Sequence, residues 1–138
     1  MPVIAPSSMP ITVPARLSFG VFRGDTFLQV FRFMRALAGT TALAPVSLNG
    51  ASIWATLKHT VVEPDNAAIA QKTLGAGVAI VDAGNGLFSV QFDPADTALL
   101  PDGVTCLELD VQVQESSGRT TTVLRGSLVV EPDVTRTY

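Results

Sequence analysis

A single cysteine, Cys106, leaves the 138-residue chain no way to close an internal disulfide, so a small oxidised scaffold is excluded and the reducing interior of a cell is permitted. A single histidine, His59, is equally restrictive. A Ser or Cys nucleophile needs a base within hydrogen-bond reach and a third group to orient that base. Only His59 could serve, and beside Lys58 at the end of an alternating run it reads as a surface residue. Cys106 reads as a small buried apolar residue. Cys/His clusters are missing, and the acidic residues do not follow calcium-loop spacing, so neither metal nor cofactor is expected. Charge is scarce as well: 15% of residues are charged, against about 25% in a typical soluble domain. Nine Lys plus Arg against twelve Asp plus Glu give a net charge of −3. That balance is the reverse of a basic nucleic-acid footprint, so no nucleic-acid partner is expected. No apolar run is long enough to span a membrane, and Met1-Pro2-Val3-Ile4-Ala5-Pro6 lacks the basic start of a signal peptide. The chain reads as soluble, made in the cytoplasm and without a membrane partner.

Proline, by contrast, is present and placed. Pro2, Pro6, Pro10 and Pro14 recur every fourth residue, each removing a backbone donor and pushing its predecessor out of the helical region. Residues 1–16 therefore read as an extended arm, able to reach roughly 50 Å when fully stretched. Val3, Ile4, Met9, Ile11 and Val13 make it more apolar than a disordered tail. An arm of this kind is expected to lie on something, with a loose terminus as the alternative, and Val3, Ile4, Pro6, Met9, Pro10, Ile11, Val13 and Pro14 are its candidate protein-interface residues.

Residues 17–138 read as one domain, since at this chain length folding removes roughly 70% of the unfolded surface from water. The pattern is period two. Leu17, Phe19 and Val21 alternate with Ser18 and Gly20, Arg23-Gly24-Asp25 turns, and residues 26–33 carry Phe27, Phe31 and Phe33 on one face, which predicts a hairpin. A loop over residues 36–48 leads to Asn49-Gly50 and a third strand with Ile53, Ala55 and Leu57 on one face. Glu63-Pro64-Asp65-Asn66 offers a cap for a short helical turn through Ala67, Ala68, Ile69 and Ala70, with an irregular loop as the alternative. Residues 78–81 and 87–92 flank the turn Asp82-Ala83-Gly84-Asn85-Gly86, a second hairpin. Asp93-Pro94 suits the cap and first position of a brief helix ended by Pro101-Asp102-Gly103. Leu107, Leu109, Val111 and Val113 then point one way, and Glu108, Asp110, Gln112 and Gln114 the other. After Ser116-Ser117-Gly118 the chain returns with Leu124, Leu128 and Val130 on one face and Thr122 opposite. The class is all-β: an antiparallel sandwich, immunoglobulin-like or jelly-roll-like with Greek-key connections, preceded by the arm.

Several short motifs have bland explanations. Asp93, Asp96 and Asp102 come nearest to a metal set but are explained as caps and turn residues. Glu108 and Asp110 share a strand face, as a paired-carboxylate hydrolase would require, yet each needs a partner that the pattern does not reveal. Leu74-Gly75-Ala76-Gly77 opens like a phosphate loop, but Ile80 stands where a dinucleotide fingerprint needs glycine and no Walker lysine follows, so a flexible loop is expected. Arg23-Gly24-Asp25 spells the integrin tripeptide and is explained by turn chemistry.

The order of segments is more informative than any one motif. It runs from Arg23-Gly24-Asp25-Thr26-Phe27 at a strand start, through Pro45-Val46-Ser47-Leu48-Asn49-Gly50-Ala51-Ser52-Ile53 into residues 54–58, then residues 82–92 and Ala98-Leu99-Leu100-Pro101-Asp102-Gly103. Residues 109–114, Gly126-Ser127-Leu128-Val129-Val130 and Asp133-Val134-Thr135-Arg136 complete it. Over residues 17–136 this resembles a group of small bacteriophage virion proteins with immunoglobulin-like sandwiches, similar to the N-terminal domain of siphophage upper-baseplate proteins. The resemblance implies a non-enzymatic structural protein of a tailed phage virion, a tail or baseplate adaptor or a capsid cement (decoration) protein. Its partners would be other virion proteins and copies of itself, and it supplies no catalytic residue. A recognition module binding a carbohydrate or cell-surface partner is the alternative; it needs exposed aromatics, for which Trp54 and Tyr138 are the candidates. A small hydrolase would need a convergent site that the residues do not supply.

Overall fold

The computed structural model describes residues 8–12, 15–36, 39, 42–59, 68–98 and 105–132. Its strands are β1 (Ser8–Thr12), β2 (Ala15–Phe22), β3 (Phe27–Ala36), β4 (Leu43–Pro45), β5 (Ser52–Lys58), β6 (Ala70–Leu74), β7 (Gly77–Asp82), β8 (Leu87–Phe92), β9 (Thr105–Gln114) and β10 (Thr120–Glu131), with one short helix, α1 (Pro94–Ala98). The main-chain ladder runs β1-β3-β8-β7-β6-β5-β9-β10-β2, with β4 also on β3. This path folds over on itself, so that β3, β8 and β7 form one layer and β6, β5, β9, β10 and β2 the other.

The fold is an all-β sandwich. Alternation fills its centre: Phe31 and Phe33 of β3, Phe88, Val90 and Phe92 of β8, Ile53, Ala55 and Leu57 of β5 and the four apolar residues of β9 all join a single buried cluster. Residues of one strand that share parity point to one face, so these sets meet between the layers while their polar neighbours stay outside.

Two expectations are corrected by pairing. The turn at Arg23-Gly24-Asp25 exists, but β2 and β3 are not a hairpin: β2 runs parallel to β10 while β3 pairs antiparallel with β8. The turn is an arch between layers. Likewise Leu74-Gly75-Ala76-Gly77 is a tight corner rather than a flexible loop. Thr73 and Ala76 exchange main-chain hydrogen bonds of 3.3 and 2.9 Å, and the Gly75 amide donates to the Val78 carbonyl at 2.9 Å. The chain steps sideways here from β6 to a parallel β7, which carries it from one layer to the other.

Two strands were hidden in expected loops. β4 lies in the stretch read as loop, pairing with Met34–Ala36 of β3. β6 begins at Ala70, and Ala68 and Ile69 before it are not helical; Glu63 to Ala67 of the expected helical turn lie outside the described residues. The second hairpin, β7 with β8, forms as expected, and α1 begins at Pro94 with Asp93 before it. There the Asp96 carboxylate accepts the Asp93 amide at 2.6 Å, half of a reciprocal cap.

In β10 the register shifts between Thr122 and Leu124, leaving Val123 as an extra residue. Val123 and Leu124 are both buried. This bulge is why Thr122 and Leu124, though of equal parity, face opposite sides of the sheet.

Candidate functional site

The outer face of the β6-β5-β9-β10-β2 layer is built from the polar half of each alternating strand. Register sets these side chains in rows. Thr73, Trp54, Gln112 and Thr122 stand side by side across four strands, and Gln71, Thr56, Asp110 and Arg125 form the next row. Lys58, Glu108, Ser127 and Ser18 follow across β5, β9, β10 and β2.

Lateral bonds tie the rows together. The Gln71 amide donates to Thr56 Oγ1 at 3.1 Å, Gln112 to Thr122 Oγ1 at 3.4 Å, and Ser127 to Ser18 at 3.1 Å. Arg125 approaches Asp110 to 3.7 Å. The face is concave: Trp54, Thr56, Gln71, Asp110, Gln112 and Arg125 are among the residues lining a trough of about 390 Å³.

Glu108 and Asp110 both open into this trough. Each faces a cation in register, Lys58 for Glu108 and Arg125 for Asp110. Trp54 is half-buried on the same face, an outward aromatic of the kind the recognition alternative requires; Tyr138 lies outside the described residues.

The other candidates are dispersed. Asp93 and Asp96 are engaged by Lys72, whose Nζ lies 3.6 and 3.0 Å from their carboxylates, while Asp102 lies outside the described residues. Arg23 is only 3% exposed, so Arg23-Gly24-Asp25 cannot offer its guanidinium to a receptor. Its turn is fixed by Gly24, whose φ of 85° suits glycine and whose amide donates to buried Thr97 at 3.0 Å. His59 is exposed, as expected. Cys106, expected to be buried, is exposed, because it shares the outward parity of Glu108 in β9.

Of the arm residues, Met9, Pro10 and Ile11 lie in β1, which adds in parallel to β3 from Ser8 opposite Val30 to Thr12 opposite Met34. Val3, Ile4, Pro6, Val13 and Pro14 lie outside the described residues. Trough residues that alternation alone did not reveal are Gln71, in the unrecognised β6, and Arg125, whose facing depends on the bulge.

No protein-family model and no curated protein matches the sequence. Among solved structures, the chain is similar to the N-terminal domain of phage TP901-1 ORF48, at 16% identity over 90% of this chain and 98% of that one, with a TM-score of 0.42. It is also similar to AggA, the major subunit of aggregative adherence fimbriae type I from Escherichia coli, at 17% identity over 84% and 89% of the two chains, with a TM-score of 0.27.

Proposed function

We propose that this protein is a non-enzymatic structural component of a tailed bacteriophage virion, held there by its sheet edges and N-terminal arm. The resemblance in segment order supplies the setting, and an immunoglobulin-like sandwich suits the strand order. The observation that carries the mode of assembly is β1: a segment from the apolar arm adds to the edge of β3 through main-chain pairing over Ser8–Thr12. Strand addition is sequence-tolerant and works equally well on a neighbour's edge.

The outside of the domain supports contact with protein. Leu28, Val81 and Phe22 are 57%, 56% and 52% exposed, apolar area that a partner would cover. The scarcity of charge has the same sense, since interface cores are depleted in Lys, Glu and Asp. A baseplate or tail adaptor and a capsid cement protein use the same surfaces, with other virion proteins and further copies of this chain as partners.

Mass spectrometry of purified particles tests the reading, and the protein is expected at constant stoichiometry with the known structural components. Removing residues 1–16 is expected to lower that occupancy. Recovery of the intact protein only from host cytosol would overturn the virion assignment, and unchanged occupancy of the truncated chain would overturn the role of the arm.

A further inference from the structure

We propose that the outer trough of the β6-β5-β9-β10 layer binds a neutral oligosaccharide, with Trp54 as the platform on which one sugar ring stacks. This does not depend on the virion reading.

Shape is the first argument. The trough of about 390 Å³ falls in the size range of small-molecule sites, roughly 300–1,000 Å³. It is also extended at both ends: a depression of about 220 Å³ toward Leu74 shares Trp54, and one of about 570 Å³ toward β2 shares Glu108 and Arg125. Adjoining depressions that share lining residues suit a chain of several units better than one compact ligand.

Chemistry is the second. The lining combines the side-chain amides of Gln71, Gln112 and Gln114 with the hydroxyls of Thr56 and Thr120. An amide offers two donors and an acceptor oxygen, the inventory that matches vicinal hydroxyls, which donate and accept at once. The bonds to Thr56 and Thr122 use one amide hydrogen each from Gln71 and Gln112. The other hydrogen and the carbonyl oxygen of each remain for a ligand. An indole face beside such groups receives the apolar C–H face of a pyranose, a polar–apolar pairing of the kind Trp provides at binding sites.

Charge is the third. The trough holds two cations and two carboxylates, Lys58, Arg125, Glu108 and Asp110, set opposite one another in register. The two signs are balanced in number, Arg125 lies 3.7 Å from Asp110, and a charged ligand would meet one charge of its own sign for each opposite one. A protein partner is disfavoured by the same four charges, because the centre of a protein interface is depleted in charged residues. A neutral, hydroxyl-rich chain meets no such cost.

Trp54 is the chain's single tryptophan, so its emission reports this face alone. The full chain would be titrated with hexaoses of glucose, galactose and N-acetylglucosamine, and with hexagalacturonate for comparison. At least one neutral hexaose is expected to shift Trp54 emission at millimolar concentration or below, and hexagalacturonate to leave it unchanged. By calorimetry, Trp54→Ala should weaken binding by about tenfold and Gln112→Ala severalfold, with circular dichroism confirming that both outward-facing variants fold. The proposal fails if no neutral hexaose moves the emission, or if binding survives both substitutions. It fails too if emission changes with protein concentration alone, which would mean that a second copy covers the face.

Discussion

The ring of Phe19 stands edge-on to that of Phe27, with centroids 5.6 Å apart and planes at 70°, although their strands share no main-chain ladder. Phe19 meets Phe31 in the same way, at 6.0 Å and 80°. The arch between β2 and β3 thus holds the layers together through rings as well as through the hydrogen bonds of its turn. Burial of a large apolar side chain stabilises by about 1.5–3 kcal/mol, and edge-to-face geometry adds about 0.5–1.5. Phe19→Ala should therefore lower unfolding free energy in urea by about 2–3 kcal/mol, and Phe19→Leu, which keeps area without the ring, by roughly half as much. A loss near zero in both would show that the arch is held by other contacts.

Gly86 closes the β7–β8 hairpin where three chain segments meet. Its φ is 69°, its carbonyl accepts the Phe33 amide at 2.9 Å, and the Phe33 carbonyl accepts the Val46 amide at 2.9 Å. A Cβ placed there would come within 2.7 Å of the Phe33 carbonyl oxygen and 2.9 Å of that of Val46. Both obstacles are main chain, so neither can swing aside as a side chain would. Gly86→Ala is expected to cost about 2–4 kcal/mol, from left-handed strain plus overpacking. Gly84→Ala in the same turn, where the nearest atom is Asp82 Oδ1 at 3.9 Å, is the control and should be close to neutral by the same denaturation measurement.

How far such features can be read from sequence depends on whether they are local. The facing of Leu107 to Gln114 is fixed by alternation alone, so most of the trough's central strand was legible. The arch was not, because a turn flanked by two alternating strands looks the same whether the second returns to the first or crosses to the other layer. That choice is made by distant partners, Leu124–Glu131 for β2 and the residues of β8 for β3. β6 escaped notice because Ala70–Leu74 buries no residue fully and so carries no apolar alternation. Val123 hides a register shift within an apolar run, and until that shift is known Arg125 cannot be placed beside Asp110. The trough was thus half legible, one strand from its own pattern and its neighbours only from long-range pairing.

Arg35 of β3 grips Glu115, just beyond β9, with two hydrogen bonds of 3.3 and 2.8 Å. Those bonds hold the Glu115 carboxyl below its ordinary value of 4.5; partial burial opposes them, and the charges of Arg35 and Arg119 reinforce them. A carboxyl with a lowered folded-state pKa stabilises fully above its unfolded value, and that stability is lost as pH falls through the folded one. Glu115→Gln should therefore cost about 0.5–1 kcal/mol at neutral pH. The gap between wild type and variant should close as pH falls from about 5 to 3. Arg35→Lys keeps the charge but loses the planar fork, and should forfeit most of the same increment. Urea unfolding at a series of pH values checks both, and a gap independent of pH would remove the ion pair from the account.

The most consequential expectation concerns β1, because it separates the domain from its arm. Five residues pair with the edge of β3 from Val30 to Met34, but Pro10 brings no amide to that ladder, so β1 is held by fewer donors than its length suggests. Removing residues 1–12 should leave the sandwich folded, since β2 to β10 supply a core cluster of their own, while baring the β3 edge up to the point where β4 takes over. A bared edge is a template for another chain. The truncated protein should therefore exchange its β3 amides faster and dimerise with rising concentration in sedimentation velocity, and a synthetic peptide of residues 1–14 added in trans should suppress both changes. If the truncated chain stays monomeric with unchanged exchange, the edge does not need its own arm. A neighbour's arm would then gain nothing by pairing there, and strand addition would lose its place in the proposed assembly.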